Sequence, residues 1–189
     1  TFAVSQGSQS VEIVLSDQVA WQAEPVEVGL KASSGLKSFD LQVLSGPAQV
    51  VNGTSLKLTG VGVVKLILSQ AGDERYGSAM AEKDMTVVKA AQTIEFGEMA
   101  DRSFGVDPIE PKASASSGLE VDYEVVSTHK VFGEAWSLGS GEVVDGKFVL
   151  PMKGLLPQTV TVKAIQSGSE VYNAAESVER SFELVRGSD

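Results

Sequence analysis

The sequence predicts an all-β chain of two tandem β-sandwiches, and a repeat is the main reason. Ala32-Ser33-Ser34-Gly35-Leu36 recurs as Ala115-Ser116-Ser117-Gly118-Leu119, 83 residues further on. Gln9-Ser10-Val11-Glu12 and Gln92-Thr93-Ile94-Glu95 stand at the same offset, as do Trp21 and Phe104, and Pro25 and Pro108. Self-similarity at a fixed period marks copies of one supersecondary unit. The second observation is short apolar alternation of period two, punctuated by Gly, Pro and Asn-Gly, which reads as strands and turns. The third is length: 189 residues give each copy enough chain to bury a core of its own.

The elements follow in order. Phe2-Ala3-Val4 aligns with Met85-Thr86-Val87, which closes the first repeat, so residues 1–8 are expected to carry the last strand of a preceding copy. Residues 9–90 form repeat one. Val11–Leu15 opens it, and Glu24-Pro25 forces an extended lead into Val26–Ala32. Ser33-Ser34-Gly35 is a turn, after which Phe39, Leu41 and Val43 alternate in a third strand that Ser45-Gly46-Pro47 ends. Gln49–Val51 and Thr54–Leu58 flank Asn52-Gly53, the pair that a hairpin turn with φ > 0 at both central residues demands. Asn52-Gly53-Thr54 is also a glycosylation sequon, although the second copy keeps the turn, as Asp145-Gly146, without one. Gly62–Leu68 and Lys83–Val88 are the last two strands, joined by a loop through Asp73, Glu74 and Tyr76.

Residues 91–189 form repeat two on the same plan. Ile94–Phe96, Ile109–Ala113 and Val121/Tyr123/Val125 match the first three strands. Val160, Val162 and Ala164 match Val64, Leu66 and Leu68, and Tyr172 matches Tyr76. The offset there has grown to 96 residues, and nearly all the added length is an insertion at 128–141. It is expected to leave the sheet, either as a displayed loop or as an extra hairpin that covers an edge strand. Lys89-Ala90-Ala91 alone joins the copies, so a stiff end-to-end pair is expected.

Composition excludes several functions. Fifteen basic and 25 acidic residues give a net charge of −10, which disfavours nucleic acid, whose phosphates need clustered Lys and Arg. Repeat two carries most of the excess: eight basic and 16 acidic groups over 92–189, net −8. There is no cysteine, hence no disulfide, thiolate metal site or thiol nucleophile. The longest apolar run, Val61–Leu68, is broken by Gly62 and Lys65, so no membrane insertion is expected.

Ser34-Gly35-Leu36, Val43-Leu44-Ser45-Gly46-Pro47, Leu58-Thr59-Gly60-Val61-Gly62 and Gln70-Ala71-Gly72 with Tyr76 and Ala79 together resemble the bacterial immunoglobulin-like (Big-type) tandem repeats of large surface and secreted proteins. The resemblance covers both repeats, and repeat two departs from it after Ser127 and at Pro151–Pro157. It implies two immunoglobulin-like sandwiches acting as an extracellular spacer or adhesin module, with neighbouring repeats of the same chain as partners. It brings no catalytic residues.

No enzymatic constellation is legible. The single histidine, His129, lies in the insertion with no Gly-x-Ser-x-Gly elbow anywhere, and reads as a solvated loop residue. Paired carboxylates among 25 acidic residues carry no glycosidase signal. The chain is therefore expected to be no enzyme and to need no cofactor. Calcium is the one metal to weigh, because Asp17, Asp73, Glu74, Asp101 and Asp107 fall near domain ends, but no Asp-x-Asp-x-Asp-Gly loop gathers them. Asn52 and Asn173 are the only asparagines that a Lys–Asn isopeptide bond could use. Trp21 reads as a repeated packing residue, and Tyr76 and Tyr172 as loop pins held by ring packing and a hydroxyl hydrogen bond. Trp136, Phe132 and His129 are the candidate contact residues for a glycan or a cell-surface protein. A third reading, an accessory region of a large secreted enzyme, stands beside the spacer and the binding module.

Overall fold

The computed structural model describes residues 5–103, 110–131, 134–144, 147–149 and 157–186; of residues 130–131, 134–143 and 148 it describes the backbone. All regular structure among these residues is β. The chain divides into two compact units. The first comprises Thr1–Ala90 with Glu170–Tyr172, and the second Ala91–Ser169 with Asn173–Asp189.

The first unit is a sandwich. One layer pairs β1 (Val11–Val14) with β4 (Gly29–Ala32), and β3 (Val26–Glu27) with β7 (Ser55–Leu58) and β6 (Ala48–Val51). The other layer is the sheet β2-β9-β8-β5, built from β2 (Gln18–Ala20), β9 (Ala79–Val88), β8 (Gly62–Gln70) and β5 (Asp40–Ser45). The alternation read from the sequence is what fills the space between. Val11 and Ile13 of the first layer, with Leu56 and Leu58, meet Leu41, Val64, Leu66, Leu68, Met85 and Val87 of the second in one core cluster. Leu56, Val64, Leu66 and Leu68 are wholly buried. Each such side chain contributes roughly 1.5–3 kcal/mol over its exposed state.

Two details depart from the sequence reading. Val26–Ala32 is two strands, because Val28 breaks the ladder: its N–H donates to the Thr54 carbonyl at 2.9 Å. Gln18–Ala20, which has no apolar alternation, forms a short parallel edge strand on β9 with Gln18 opposite Thr86.

The hairpin turn has the expected backbone, with φ of 52° at Asn52 and 73° at Gly53. Its loop is three residues long, since Val51 pairs with Ser55 and Thr54 is left over to receive Val28. A Cβ on Gly53 would meet nothing within 4 Å, so substitution there tests backbone strain alone. Gly53→Val is expected to destabilise the first unit by about 1–3 kcal/mol in chemical denaturation, and an unmoved midpoint would refute the strain.

The second unit repeats this plan. β10 (Ile94–Phe96) pairs with β12 (Ala113–Ala115), as β1 does with β4. β11 (Arg102–Ser103), β17 (Val178–Val185), β16 (Gln158–Ile165) and β13 (Asp122–Val131) stand in the order of β2-β9-β8-β5. The core gathers Ile94, Phe96, Val125, Val160, Val162, Ala164, Phe182 and Leu184. The same sheet then continues through β14 (Glu134–Val144) and β15 (Lys147–Val149). The Asp145-Gly146 turn lies outside the described residues.

Candidate functional site

The insertion at 128–141 does not leave the sheet. It lengthens β13 and supplies most of β14, which pairs antiparallel with β13 from Val125 opposite Gly141 to Val131 opposite Glu134. The physical reason is visible in the first unit. There β5, the counterpart of β13, is an edge strand with β8 as its one partner among the described residues. A strand added on that side displaces no existing pairing. A β-bulge, Leu138 and Gly139 opposite Ser127, separates the pairs Val126–Ser140 and Thr128–Ser137.

β16 accompanies β13 only as far as Thr128, paired with Thr159. The pairs His129–Trp136, Lys130–Ala135 and Val131–Glu134 therefore extend past the three-stranded part of the sheet. His129 sits on a strand, not in a solvated loop, and is half-buried. Its Nδ1 lies 2.6 Å from the Pro157 carbonyl oxygen, and since a carbonyl can only accept, Nδ1 carries a proton. Trp136 is the register partner of His129. Phe132 lies outside the described residues. At the root of the hairpin, Ser127 and Gln158 are wholly buried polar residues, joined by Ser127 Oγ donating to Gln158 Oε1 at 3.1 Å. In the first unit Ser45 and Gly62 hold these places.

Three of the five carboxylates weighed for calcium, Asp17, Asp73 and Asp101, make hydrogen bonds of their own. Asp73 Oδ1 accepts the backbone N–H groups of Arg75 and Tyr76, both at 2.8 Å, which closes its own loop. Asp17 accepts Lys83 Nζ at 2.6 Å, and that hydrogen bond and charge lower the Asp17 pKa below the usual carboxylate value. Asp101 Oδ1 accepts the Glu183 N–H at 2.8 Å. Asp107 lies outside the described residues. Among the described residues no three potential metal ligands converge.

Sequence reading missed the most developed polar feature, a glutamine clamp present in both repeats. Gln9 Nε2 donates to Gln70 Oε1 at 2.8 Å and to the Gly77 carbonyl at 2.6 Å, while Gln9 Oε1 accepts Ser34 Oγ at 2.5 Å. Gln92 does the same with Gln166 Oε1 at 2.8 Å, the Asn173 carbonyl at 2.7 Å and Ser117 Oγ at 2.5 Å. Ser34 and Ser117 then accept the N–H of Leu36 and Leu119, each at 3.3 Å. The neighbouring serines complete the motif: Ser33 and Ser116 accept the Ser10 and Thr93 N–H groups at 2.9 and 3.0 Å. This is the physical content of the repeated Ala-Ser-Ser-Gly-Leu. The signal that could have found it was the glutamine retained at the head of each repeat and again at Gln70 and Gln166.

The tyrosine loop lies just beyond the clamp. Gly7, two residues before Gln9, bridges Tyr76 in parallel, with its N–H donating to the Arg75 carbonyl at 2.8 Å. Ala90, two residues before Gln92, bridges Tyr172 in the same way, donating to the Val171 carbonyl at 2.9 Å. Within the first unit the Tyr172 ring meets Trp21 edge-on, with centroids 5.4 Å apart, and Trp21 packs against the core. Phe104, its sequence counterpart, lies outside the described residues.

No known protein family matches this chain, and no curated protein matches it. Twenty-two solved chains do. Among them, the crystal structure of Drosophila N-cadherin EC1-4 is matched at 15% identity and a TM-score of 0.31, over 93% of this chain and 50% of that one. Mouse protocadherin-24 EC1-3 is matched at 13% identity and a TM-score of 0.32, over 97% of this chain and 70% of that one. This chain thus spans half the length of the N-cadherin structure. At these scores neither likeness bears on what the chain does.

Proposed function

We propose that the chain is a non-catalytic structural or adhesive pair of immunoglobulin-like modules within a larger bacterial surface or secreted protein. The observation that carries this reading is the duplicated clamp. Each repeat invests a glutamine pair, a serine turn and a tyrosine loop in fixing the backbone that leads into it, twice over and with the same partners. The polar side chains of both clamps hold the chain's own path. The arrangement suits modules strung in series and loaded along their length. Neighbouring repeats are the first partners, and the location is extracellular.

Stretching the whole chain in a single-molecule force experiment tests this. Two separate unfolding events are expected, releasing roughly 290 Å of extended chain for repeat one and roughly 350 Å for the longer repeat two. Extension without discrete events would overturn this reading.

A second reading is favoured by the hairpin that outruns β16. In it, the 128–141 segment displays Trp136, Phe132 and His129 to a glycan or cell-surface protein. Replacing 128–141 with the Gly46-Pro47 link of repeat one is expected to leave the second unit folded, because β5 shows that this strand tolerates the edge position. It should also abolish binding in a glycan or cell-surface screen. Binding that survives the replacement would remove this reading.

A further inference from the structure

We infer that the open edge of β4 in the first unit is a docking site for an extended, acidic segment of a partner protein. Among the described residues β4 has β1 as its one partner, with Val11 opposite Ala32 and Ile13 opposite Leu30. One step beyond, Ser33 N–H donates to the Ser10 carbonyl at 2.9 Å. Hydrogen-bonded pairs alternate along an antiparallel ladder, so the bonded pairs are 10–33, 12–31 and 14–29. Leu30 and Ala32 therefore turn their N–H and C=O groups to the other side. The Ala32 carbonyl is taken by Gly35 N–H at 3.1 Å. Among the described residues the Leu30 N–H, the Leu30 carbonyl and the Ala32 N–H remain as the donor and acceptor row of an unextended sheet edge.

The hairpin β6-β7 would cover this row if it were longer. Its last contact with the strand is the Val28–Thr54 hydrogen bond, and beyond it the edge opens into a groove of about 540 Å³. Leu30, Leu36 and Phe39, all half-buried, supply its apolar wall. Lys31 and Lys37 are the only charged residues lining it; both are exposed, and neither makes an ion pair among the described residues. Glu12 is the register partner of Lys31 across the ladder. On a chain of net charge −10, two unpaired ammonium groups over an apolar groove select an acidic occupant. An unpaired strand edge selects an extended one.

The second unit argues that the lysines are not scaffold. It keeps the Ala-Ser-Ser-Gly-Leu turn, yet Ser114 and Glu120 stand where the first has Lys31 and Lys37, and Ala113 where it has Leu30. The groove chemistry belongs to one repeat alone. It is independent of the hairpin at 128–141, which lies in the other unit, so the two fail or succeed separately.

The test is an NMR titration of the whole chain with an end-capped eight-residue peptide of alternating valine and glutamate. The amides of Leu30 and Ala32 should shift and exchange more slowly. Reversing both charges, K31E with K37E, should weaken binding about tenfold or more. N-methylation of the peptide at alternate residues should abolish binding in one frame and spare it in the other, because only one set of N–H groups faces β4. The inference is overturned if the peptide does not bind at millimolar concentration, or if Leu30 and Ala32 do not move. It is overturned equally if both methylated frames bind as the parent does, or if a lysine-for-glutamate peptide binds as well.

Discussion

Gly72→Ala is expected to destabilise the first unit by about 2–5 kcal/mol. Two costs coincide there. Gly72 has φ of +82°, where an L side chain is strained. A Cβ built on it would also lie 2.2 Å from the Tyr76 carbonyl oxygen and 2.7 Å from the Gly77 carbonyl carbon, both backbone atoms that cannot swing aside. The backbone is held there from several directions. Gly72 N–H donates to Gln70 Oε1, Asp73 N–H donates to the Tyr76 carbonyl at 2.9 Å, and Gly77 N–H donates to the Gly7 carbonyl at 3.0 Å. Gly53→Ala is the control, with φ of +73° but open space at its Cβ. Denaturation of the two variants side by side separates strain from collision. Equal losses would mean that the loop yields and that the close approach has no energetic weight.

Gln92→Leu is expected to cost the second unit about 2–4 kcal/mol, because it removes three hydrogen bonds from a buried site. Gln92 is 8% exposed and Gln166 likewise, so water cannot take over freely. The Asn173 carbonyl and the Ser117 hydroxyl each lose a partner, while Gln166 Oε1 keeps the Gly168 N–H at 2.5 Å. Gln92→Glu should cost more at neutral pH. A carboxylate donates nothing, and it would face Gln166 Oε1 and the Asn173 carbonyl, both acceptors. Its pKa in the folded unit would be raised by that repulsion and by burial, so the neutral acid is the better-tolerated form. The deficit relative to Gln92→Leu should therefore shrink as pH falls below the folded pKa, where a proton restores one donor. Gln9→Leu should cost less than Gln92→Leu, since Gln9 is only half-buried. A Gln92→Glu variant whose stability relative to Gln92→Leu is flat with pH would show that the clamp is not a donor–acceptor lock.

Much of this architecture was legible in the sequence because its signals are local. Asn52-Gly53 announces a turn through the backbone freedom of two adjacent residues. Val64, Leu66 and Leu68 announce a strand with one buried face by their spacing. The copying of Ala-Ser-Ser-Gly-Leu announced two units before any strand was placed. None of these required knowing what lies opposite. The edge strands were missed for the converse reason: Gln18–Ala20 and Arg102–Ser103 have no apolar alternation, and they are strands only because β9 and β17 offer them a ladder.

The sequence by itself determined the β class, the duplication and the site of the one unequal segment. The tertiary structure decided the rest, because it depends on residues far apart in the chain. Gln9 meets Gln70 across 61 residues, and Gln92 meets Gln166 across 74. A side-chain amide has no local preference that reveals its distant partner. The same holds for residues 128–141. Whether added residues leave a sheet or widen it turns on whether the neighbouring strand already has two partners. Sheet order is a property of the assembled fold, and β13, like β5, had a side to spare.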